Sequence, residues 1–355
     1  MSPSLPPSFR PMLASLAREL PRGEWLYEPK WDGFRCLAIA TPQRVELRSR
    51  HGRPLTRYFP EVVAAMSLLV DARGAVALDG ELVIQRGGTF DFAALLSRTH
   101  PAASRAARLA RETPATFIAF DLVVHGRQDL TATPLAQRRV LLEALLAGAP
   151  AGIALTPATR DLRTATEWLE RCGRGIDGVV AKALAEPYVP GKRRWVKVKP
   201  QRTADCVVAG LRLFANSAAV GSLLLGLWDG PTLRHVGVAS SFTDEQRSAL
   251  SRDLVPLAVP LDGHPWERGF GLEPSPLGRL SGSAGRWDPR TMTLDWTPIR
   301  PDRVCEVIYD QLDAGRFRHP ARFLRWRPDR EPRSCRFEQL AAAPALPRDA
   351  RGAGA

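Results

Sequence analysis

The chain has 355 residues, of which 45% are hydrophobic and 25% are charged, which fits two globular domains and excludes a wholly disordered protein. Its formal net charge is +13, and this excess favours a polyanionic partner because phosphates neutralised by a protein release their counterions. The five cysteines form no Cys-x-x-Cys pair, and no apolar run approaches the roughly 20 residues of a membrane span, so we expect no zinc site, disulfide framework or transmembrane segment.

The N-terminal segment does not look like a signal peptide, and part of the positive charge has an explanation unrelated to function. Residues 1–10 are rich in proline and serine and lack the apolar core of a signal peptide. The odd, scattered set of cysteines fits a reducing cytoplasm. The cations are mainly arginine, which pairs with phosphate through two parallel hydrogen bonds. Arginine abundance also accompanies a GC-rich genome, and we assign about half of the excess charge to that bias.

Strands and helices alternate over the first part of the chain. Runs rich in Val and Ile predict strands at Cys36–Ala40, Val76–Ile84, Thr116–Val124 and Val179–Ala183. Apolar periodicity predicts helices at Glu61–Leu69 and Leu135–Leu146, and Thr164-x-x-Glu167 is typical of a capping box opening a third helix. The alternating segment Trp195–Lys199 predicts a strand that Pro200 ends.

From about Thr203 onwards short strands dominate. We predict them at Asp205–Leu213, Ser222–Trp228, Leu233–Val238, Met292–Trp296 and Glu306–Tyr309. One helix is expected, opening at the capping box Thr243-x-x-Gln246 and running through Leu250. Residues 256–290 are predicted to be a long loop and residues 341–355 a flexible tail. Short strands with few helices favour a small β-barrel.

The most informative segment is Glu-Pro-Lys-Trp-Asp-Gly-Phe-Arg, residues 28–35. A lysine amine attacks a phosphorus atom only when it is deprotonated, so the pKa of Lys30 must fall from its ordinary value of about 10.4. Nearby cations and partial desolvation would both lower that pKa. A single Lys-x-Asp-Gly is weak support, because a surface lysine beside a turn produces the same pattern.

Five further segments follow this motif in the chain: Leu78–Glu81, Phe117–Asp121, Ile176–Lys182, Trp195–Lys199 and Arg322–Arg330. In this order the six segments resemble the motifs of the covalent nucleotidyltransferase superfamily, which comprises ATP-dependent DNA ligases, RNA ligases and mRNA capping enzymes. Three more segments resemble the bacterial ligase C and ligase D branch: Pro11–Ala14, Tyr188–Arg193 and Gly221–Gly226. The resemblance extends from about residue 10 to about residue 340.

This resemblance implies an architecture and an activity. The fold would be an α+β nucleotidyltransferase (adenylation) domain with antiparallel sheets over residues 1–202, followed by a β-barrel OB-fold domain over residues 203–340. The protein would be an ATP-dependent DNA ligase that works in DNA repair and recombination with ATP and Mg²⁺ or Mn²⁺. It would seal a nick between a 3′-hydroxyl and a 5′-phosphate through a lysyl-AMP and an adenylated 5′ end.

The resemblance makes Lys30 the nucleophile and surrounds it with cations. Lys197 and Lys199 repeat every second residue, so on a strand both face the same side. They would neutralise the α-phosphate and lower the pKa of Lys30, unless they only protect a sheet edge from aggregation. Lys182 fits the same role less strongly.

The remaining nucleotide and metal assignments also follow from the resemblance. Glu81 would hold the ribose, Phe120 would stack on adenine, and Glu28 would sense the adenine amino group. Asp177 would help hold a divalent cation, and Asp79 would help position the nick or a metal. For both, and for Glu81, the alternative is an N-cap or turn carboxylate, which is common beside glycine. Asp177 replaces the family's usual glutamate and is one methylene shorter, which leaves direct and water-mediated metal contact both open.

Two sets of arginines complete the expected site. Arg35 and Arg50 would hold the ribose or the 5′-phosphate of the nick, with surface arginine as the alternative. Near the C-terminus, four residues would orient the leaving pyrophosphate: Arg325, Arg327, Asp329 and Arg330. The family often has Asp-Lys where this chain has Asp329-Arg330, which keeps the charge and changes the geometry of phosphate contact.

Several alternatives remain beside this interpretation. An NAD-dependent ligase is not expected, because only 29 residues precede Lys30 and no four-cysteine zinc site is present. An RNA ligase, a GTP-using capping enzyme and a catalytically inactive nucleic-acid-binding protein stay open. As partners we expect nicked double-stranded DNA and a repair polymerase, no membrane, a monomeric enzyme, and a nucleoid-associated location in a bacterial cytoplasm.

Overall fold

The computed structural model describes residues 5–99, 102–172, 175–200, 202–214, 219–268, 296–310, 312–313 and 315–340. The chain divides into two compact units after Pro200. Much of the predicted loop at 256–290, most of the predicted strand at Met292–Trp296, and the tail at 341–355 lie outside the described residues. Within the described residues, no helix is long and apolar enough to cross a membrane.

The first unit combines helices and strands in alternation. Its strands are β1 (Leu13–Ala17), β2 (Trp25–Trp31), β3 (Phe34–Thr41), β4 (Arg44–Ser49), β5 (Val76–Arg86), β6 (Thr89–Phe90), β7 (Ala115–His125), β8 (Gln128–Asp129), β9 (Ile153–Leu155), β10 (Ile176–Ala183) and β11 (Arg193–Val198). Its helices are α1 (Pro60–Arg73), α2 (Phe92–Ser97), α3 (Ala103–Glu112), α4 (Leu135–Leu146) and α5 (Leu162–Glu170). Every strand and helix predicted for this half is therefore present, with longer bounds in several cases.

Two sheets organise this unit. The smaller has the order β1-β11-β10-β2, and the larger follows β4-β3-β5-β7-β8, with β6 paired to β5 and β9 to β7. Most pairs are antiparallel, as predicted, while β1–β11 and β7–β9 are parallel. The α+β class with antiparallel sheets is thus confirmed, with two parallel pairs added.

Apolar faces hold the elements of this unit together. Helix α1 starts with Pro60 in its first turn and packs buried side chains, among them Met66 and Leu69, into the core of the larger sheet. A second core contains Leu37 from β3, Phe120 from β7 and Trp195 from β11. Because this core joins strands of both sheets, it fixes the position of the residues that line the cleft described below.

One predicted helix start is wrong. The residue that caps α5 is Asp161, whose carboxylate accepts hydrogen bonds from the backbone N–H groups of Arg163 and Thr164 at 3.1 and 3.2 Å. Thr164 lies inside the first turn and donates its hydroxyl to Asp161 Oδ2 at 2.8 Å. Aspartate is a strong N-cap residue when it precedes the first turn of a helix. The helix therefore begins after Asp161 and not at Thr164, where the Thr-x-x-Glu pattern predicted its start.

The second unit is a closed barrel with the strand order β12-β13-β14-β18-β15, which confirms the predicted β-barrel. Its elements are β12 (Arg202–Leu213), β13 (Val220–Asp229), β14 (Thr232–Ser240), α6 (Asp244–Leu254), β15 (Thr297–Tyr309), β16 (Leu312–Asp313), β17 (Arg316–Phe317) and β18 (Ala321–Trp326). The capping box of α6 is present as predicted, with reciprocal bonds between Thr243 and Gln246. Trp296 immediately precedes β15 rather than lying within a strand.

Candidate functional site

A cavity opens in the first unit and gathers most of the predicted site residues. Its wall includes residues of β2, β3, β5, β7, β10 and β11, which the chain contributes from widely separated positions. Lining it are Leu13, Ala14, Glu28, Pro29, Lys30, Trp31, Arg35, Arg50, Glu81, Phe120, Val180, Lys182, Trp195 and Lys197. Of the residues predicted to contact ATP or AMP, Lys199 is absent from this lining.

Strand pairing brings Lys30 to a carboxylate. On β2, Lys30 faces an irregularity of β10 that falls between Ile176 and Val179. Gly178 occupies this point with φ +145°, and a Cβ there would come within 2.2 Å of the Val198 carbonyl oxygen. Only glycine fits such a close backbone approach. The irregularity places Asp177 Oδ2 at 2.6 Å from Lys30 Nζ.

The pKa of Lys30 differs from the expectation drawn from the sequence. Burial is the largest single influence and lowers this pKa, as expected, but the charge and hydrogen bond of Asp177 together with the charges of Glu81 and Asp32 outweigh it, and the net direction is upward. Lys30 is therefore a protonated amine paired with Asp177. The predicted fall of its pKa is wrong for this arrangement, because the sequence did not reveal that the nearest charge would be a carboxylate.

The two other lysines of the predicted cation group differ in position. Lys197 lies on β11 and lines the cavity, and its pKa is lowered by burial and by the charges of Lys30 and Lys199. Within the described residues it forms no ion pair. Lys199 follows the last residue of β11 and places its amine 2.8 Å from Asp177 Oδ2. Asp177 therefore joins two cations, while Lys197 keeps its charge available to a ligand.

At one end of the cavity, buried charges form a compact network. Glu28 and Lys182 are both buried, and Lys182 Nζ lies 2.7 Å from Glu28 Oε2 and donates to the Phe120 carbonyl at 2.7 Å. Arg139 of α4 adds a longer contact of 3.4 Å to Glu28 Oε1 and donates to the Thr156 carbonyl at 2.9 Å. The amine of Lys182 is thus engaged beside Phe120 and Glu28, which favours a role near the nucleobase over a phosphate contact.

An aromatic wall lies next to this network. The Phe120 and Trp195 rings meet edge to face with centroids 6.0 Å apart, and Lys182 Nζ lies 4.7 and 4.4 Å from the two centroids. Phe120 is almost completely buried and still lines the cavity. A planar apolar surface beside polar groups suits a heteroaromatic base.

Arg35 and Asp79 form a bidentate pair. Arg35 Nε donates to Asp79 Oδ1 at 2.6 Å, and its Nη2 donates to Oδ2 at 2.5 Å. Asp79 is fully buried and does not line the cavity, whereas Arg35 does. Of the two roles that the resemblance left open for Asp79, this geometry favours positioning over a metal contact. Arg50 is exposed and lines the cavity, and its contact with a phosphate stays a prediction.

Glu81 lines the cavity and is an unusually weak acid for a glutamate. Burial raises its pKa to about 7 from an ordinary value of 4.5, against the opposing charges of Lys30 and Arg35. Folding therefore favours the protonated form, so the stability gained from that proton is full below pH 4.5 and is lost as the pH rises through about 7.

Glu81→Gln should therefore stabilise the nucleotide-free protein in a pH-dependent way. Glutamine is uncharged and has the shape of the protonated glutamate, so burying it carries no cost for a charge. We therefore expect a free energy of unfolding higher than that of the wild type by up to about 3 kcal/mol at pH 8. At pH 4.5 we expect no difference. Urea unfolding of both proteins at the two pH values measures the effect, and an equal or lower stability of the variant at pH 8 would contradict it.

The second unit contains the residues predicted to orient pyrophosphate. There they form a cluster of ion pairs: Arg325 with Glu306 at 2.7 Å, Arg327 with Asp205 and Asp329 at 3.0 and 2.8 Å, and Arg330 with Asp205 at 3.4 Å. The hydrogen bond from Arg327 lowers the pKa of Asp329 to about 2. The cluster is thus a connected charged surface within its own unit.

Some residues of the site carried no signal in the sequence. Arg139 lies on a helix between two motifs, where an arginine looks like any other solvated helix residue. Tyr188 begins the segment Tyr188–Arg193, which resembles the ligase C and ligase D branch, yet nothing in the sequence assigns this tyrosine a role. Only its contacts, described below, separate it from a core tyrosine.

The carboxylates of the site restrict the kind of metal it could hold. Within the described part of the chain there is no group of three or more His, Cys, Asp or Glu side chains suited to a metal ion. Mg²⁺ usually takes one or two carboxylates and completes its shell with water and substrate phosphates. Asp177, beside the cavity and 2.6 Å from Lys30, therefore fits a cation that arrives with a nucleotide better than a site made of protein ligands alone.

Comparison with known proteins gives a consistent result over the whole chain. Residues 8–199 match the family model described as "ATP dependent DNA ligase domain", and residues 216–330 match "ATP dependent DNA ligase C terminal region". DNA ligase C2 of Mycolicibacterium smegmatis is 49% identical over 346 residues, which cover 96% of each chain. DNA ligase C of Mycobacterium tuberculosis is 45% identical and covers 95% of each.

A longer relative and a solved structure extend the comparison. The multifunctional non-homologous end joining protein LigD of Pseudomonas aeruginosa is 33% identical over 99% of this chain, which corresponds to 39% of that protein. A structure reported for Lig E DNA ligases aligns with 89% of this chain and 99% of its own, with a TM-score of 0.51 and 18% identity. At that identity it supports the two-unit fold alone.

Proposed function

This chain belongs to the family of ATP-dependent DNA ligases, and we propose that Lys30 is the residue on which it stores AMP. Members of the family use ATP to seal breaks in DNA, which makes this protein an enzyme with DNA as its substrate. The observation that carries the assignment is the place of Lys30 in the cavity, between the cation Lys197 and the carboxylates Asp177 and Glu81. The proposed cofactor ATP fits this mixture of charges.

In the proposed first step, ATP lies in the cavity with its base against Phe120. Glu28 would accept a hydrogen bond from the adenine amino group, and Glu81 would accept one from a ribose hydroxyl. The Lys30 amine attacks the α-phosphorus, a nitrogen–phosphorus bond forms, and the bond to pyrophosphate breaks. Lys197 would neutralise the charge that develops on the α-phosphate, because loose phosphoryl transition states are stabilised mainly by positioning and charge.

Asp177 controls the proton of the nucleophile in this proposal. Its carboxylate holds the Lys30 ammonium at 2.6 Å and the Lys199 ammonium at 2.8 Å. A divalent cation, Mg²⁺ or Mn²⁺, held by Asp177 together with nucleotide phosphates, would supply positive charge beside the α-phosphate. Before the attack, the Lys30 ammonium would give its proton to solvent water, which reaches the partly exposed side chain, once its attraction to Asp177 is weakened.

In the later steps, AMP moves from Lys30 to the 5′-phosphate of a nick, and the 3′-hydroxyl then displaces AMP. Arg35 and Arg50 would hold the nick phosphate, since both line the cavity. The four residues Arg325, Arg327, Asp329 and Arg330 would orient pyrophosphate during the first step. Residues 1–202 would thus act as the adenylation domain and residues 203–340 as the OB-fold domain.

Covalent labelling tests the proposal. Purified protein with Mg²⁺ and ATP labelled on the α-phosphate should acquire one covalent AMP, and labelled GTP should give none. A labelled nicked DNA duplex should then be sealed, with slower sealing when RNA replaces the broken strand. Transfer of GMP would favour a capping enzyme, preferential RNA sealing an RNA ligase, and the absence of any adduct a binding protein without catalysis.

The cellular setting is also a proposal. The relatives described as multifunctional end joining proteins suggest that this ligase works in DNA repair. We propose that it acts as a monomer, that a repair polymerase assists it at DNA ends, and that it is located with the nucleoid in the bacterial cytoplasm.

A further inference from the structure

The guanidinium of Arg35 is held on one side only. Its Nε and Nη2 donate to the two oxygens of Asp79, and Nη2 also donates to the Met12 carbonyl at 3.1 Å. Its Nη1 makes no hydrogen bond with any residue that the structure describes, and the side chain lines the cavity. Two contacts therefore fix the plane of the guanidinium and leave one nitrogen for a ligand.

The hydroxyl of Tyr188 contacts the same two residues as Nη2, although at Met12 it meets the backbone N–H and not the carbonyl. It donates to Asp79 Oδ2 at 2.6 Å and accepts a hydrogen bond from the Met12 backbone N–H at 3.0 Å. Tyr188 is buried, and its ring packs edge to face against Trp195 with centroids 6.1 Å apart. One hydroxyl thus links the Asp79 carboxylate and the Met12 peptide into a single support for Arg35.

The aromatic wall keeps the supported guanidinium in place. The Arg35 Cζ lies 4.5 Å from the centroid of Phe120 and 5.0 Å from that of Trp195. The two rings stand almost perpendicular to each other, and cation–π attraction to both favours a guanidinium that stays close to them. The hydrogen bonds to Asp79 and Met12 then fix its orientation.

We propose that Tyr188 is a positioning residue which, through Asp79 and Met12, aims Nη1 of Arg35 at the 5′-phosphate of the nick. This inference rests on the proposed function, in which Arg35 contacts that phosphate. Tyr188 would serve the transfer of AMP to DNA, because a phosphate displaced by about 1 Å reacts up to about 100-fold more slowly. It would matter little for the formation of lysyl-AMP, in which the nick takes no part.

The test compares Tyr188→Phe with Tyr27→Phe. Tyr27 is an equally buried tyrosine of the same unit, and its hydroxyl donates to the Pro21 carbonyl at 2.6 Å, away from Asp79. Both variants lose one hydroxyl and keep the ring, although the Tyr188 hydroxyl makes two hydrogen bonds and that of Tyr27 one. Thermal unfolding of each variant shows how much stability each one loses.

The readout separates the two chemical steps in single turnovers. For Tyr188→Phe we expect lysyl-AMP to form from ATP within about twofold of the wild-type rate, while transfer of AMP from the adenylated enzyme to nicked DNA slows by about 10- to 100-fold. Tyr27→Phe should leave both rates within about twofold. If Tyr188→Phe slows the two steps equally, or transfers AMP to DNA as fast as Tyr27→Phe, the proposal is overturned.

A second variant guards against loss of the fold. Asp79→Asn preserves the volume of the side chain and weakens the same support, so it should slow the transfer step more than lysyl-AMP formation. An Asp79→Asn protein that slows both steps equally also overturns the inference. Failure of the wild-type protein to form lysyl-AMP would instead contradict the proposed function, so the two failures are distinguishable.

Discussion

Lys30→Arg is expected to lower the formation of covalent AMP by at least about 10³-fold, because removal of a nucleophile costs the whole covalent route. Arginine keeps the positive charge and can still pair with Asp177, which preserves the resting ion pair. Its guanidinium stays protonated at any pH that a protein tolerates and cannot attack phosphorus. Incubation with α-labelled ATP, followed by denaturing electrophoresis, measures the adduct.

Two controls accompany the Lys30 variant. Its thermal unfolding temperature should stay close to wild type, since the ion pair with Asp177 at 2.6 Å can be remade by arginine. It should also close a nick whose 5′ end already carries AMP, because that step does not need the amine as a nucleophile. A variant that still acquires labelled AMP at the wild-type rate would move the nucleophile to another residue.

Arg138→Met should produce the largest loss of stability among the variants considered. Arg138 and Asp121 are both buried, and Arg138 donates from Nε and Nη2 to the Asp121 carboxylate at 2.8 and 3.0 Å. Removing the cation leaves an uncompensated buried carboxylate, which costs about 3–5 kcal/mol. Because Asp121 directly follows Phe120, we also expect weaker binding of ATP. Urea unfolding and nucleotide titration measure the two effects.

Two control variants show whether the loss of stability comes from breaking the buried Arg138–Asp121 pair or from replacing any arginine with methionine. Arg108→Met removes an exposed helix arginine that lies 3.7 Å from Glu112, and should change the free energy of unfolding by less than about 0.5 kcal/mol. The double variant Asp121→Leu with Arg138→Met removes both buried charges and should be more stable than Arg138→Met alone. A single Arg138 variant as stable as Arg108→Met would show that the pair contributes little.

Much of this protein could be read from local patterns. Val- and Ile-rich runs located the strands, and the Thr-x-x-Gln box located the start of α6, because these signals depend on neighbours within a few residues. The order of six motifs indicated the family, which the comparisons confirmed. Where two local signals competed, at Asp161 and Thr164, the choice between them needed the backbone hydrogen bonds.

The chain alone determined which residues could carry the chemistry, namely a lysine in Lys-x-Asp-Gly and a series of carboxylates, cations and one aromatic that follow it. Only the tertiary structure decided how they act. Lys30 is protonated at rest because β2 and β10 pair in a register that brings Asp177, 147 residues away, to 2.6 Å. Charge and hydrogen-bond partners depend on distances of a few ångströms between residues far apart in sequence, and no local periodicity encodes those distances.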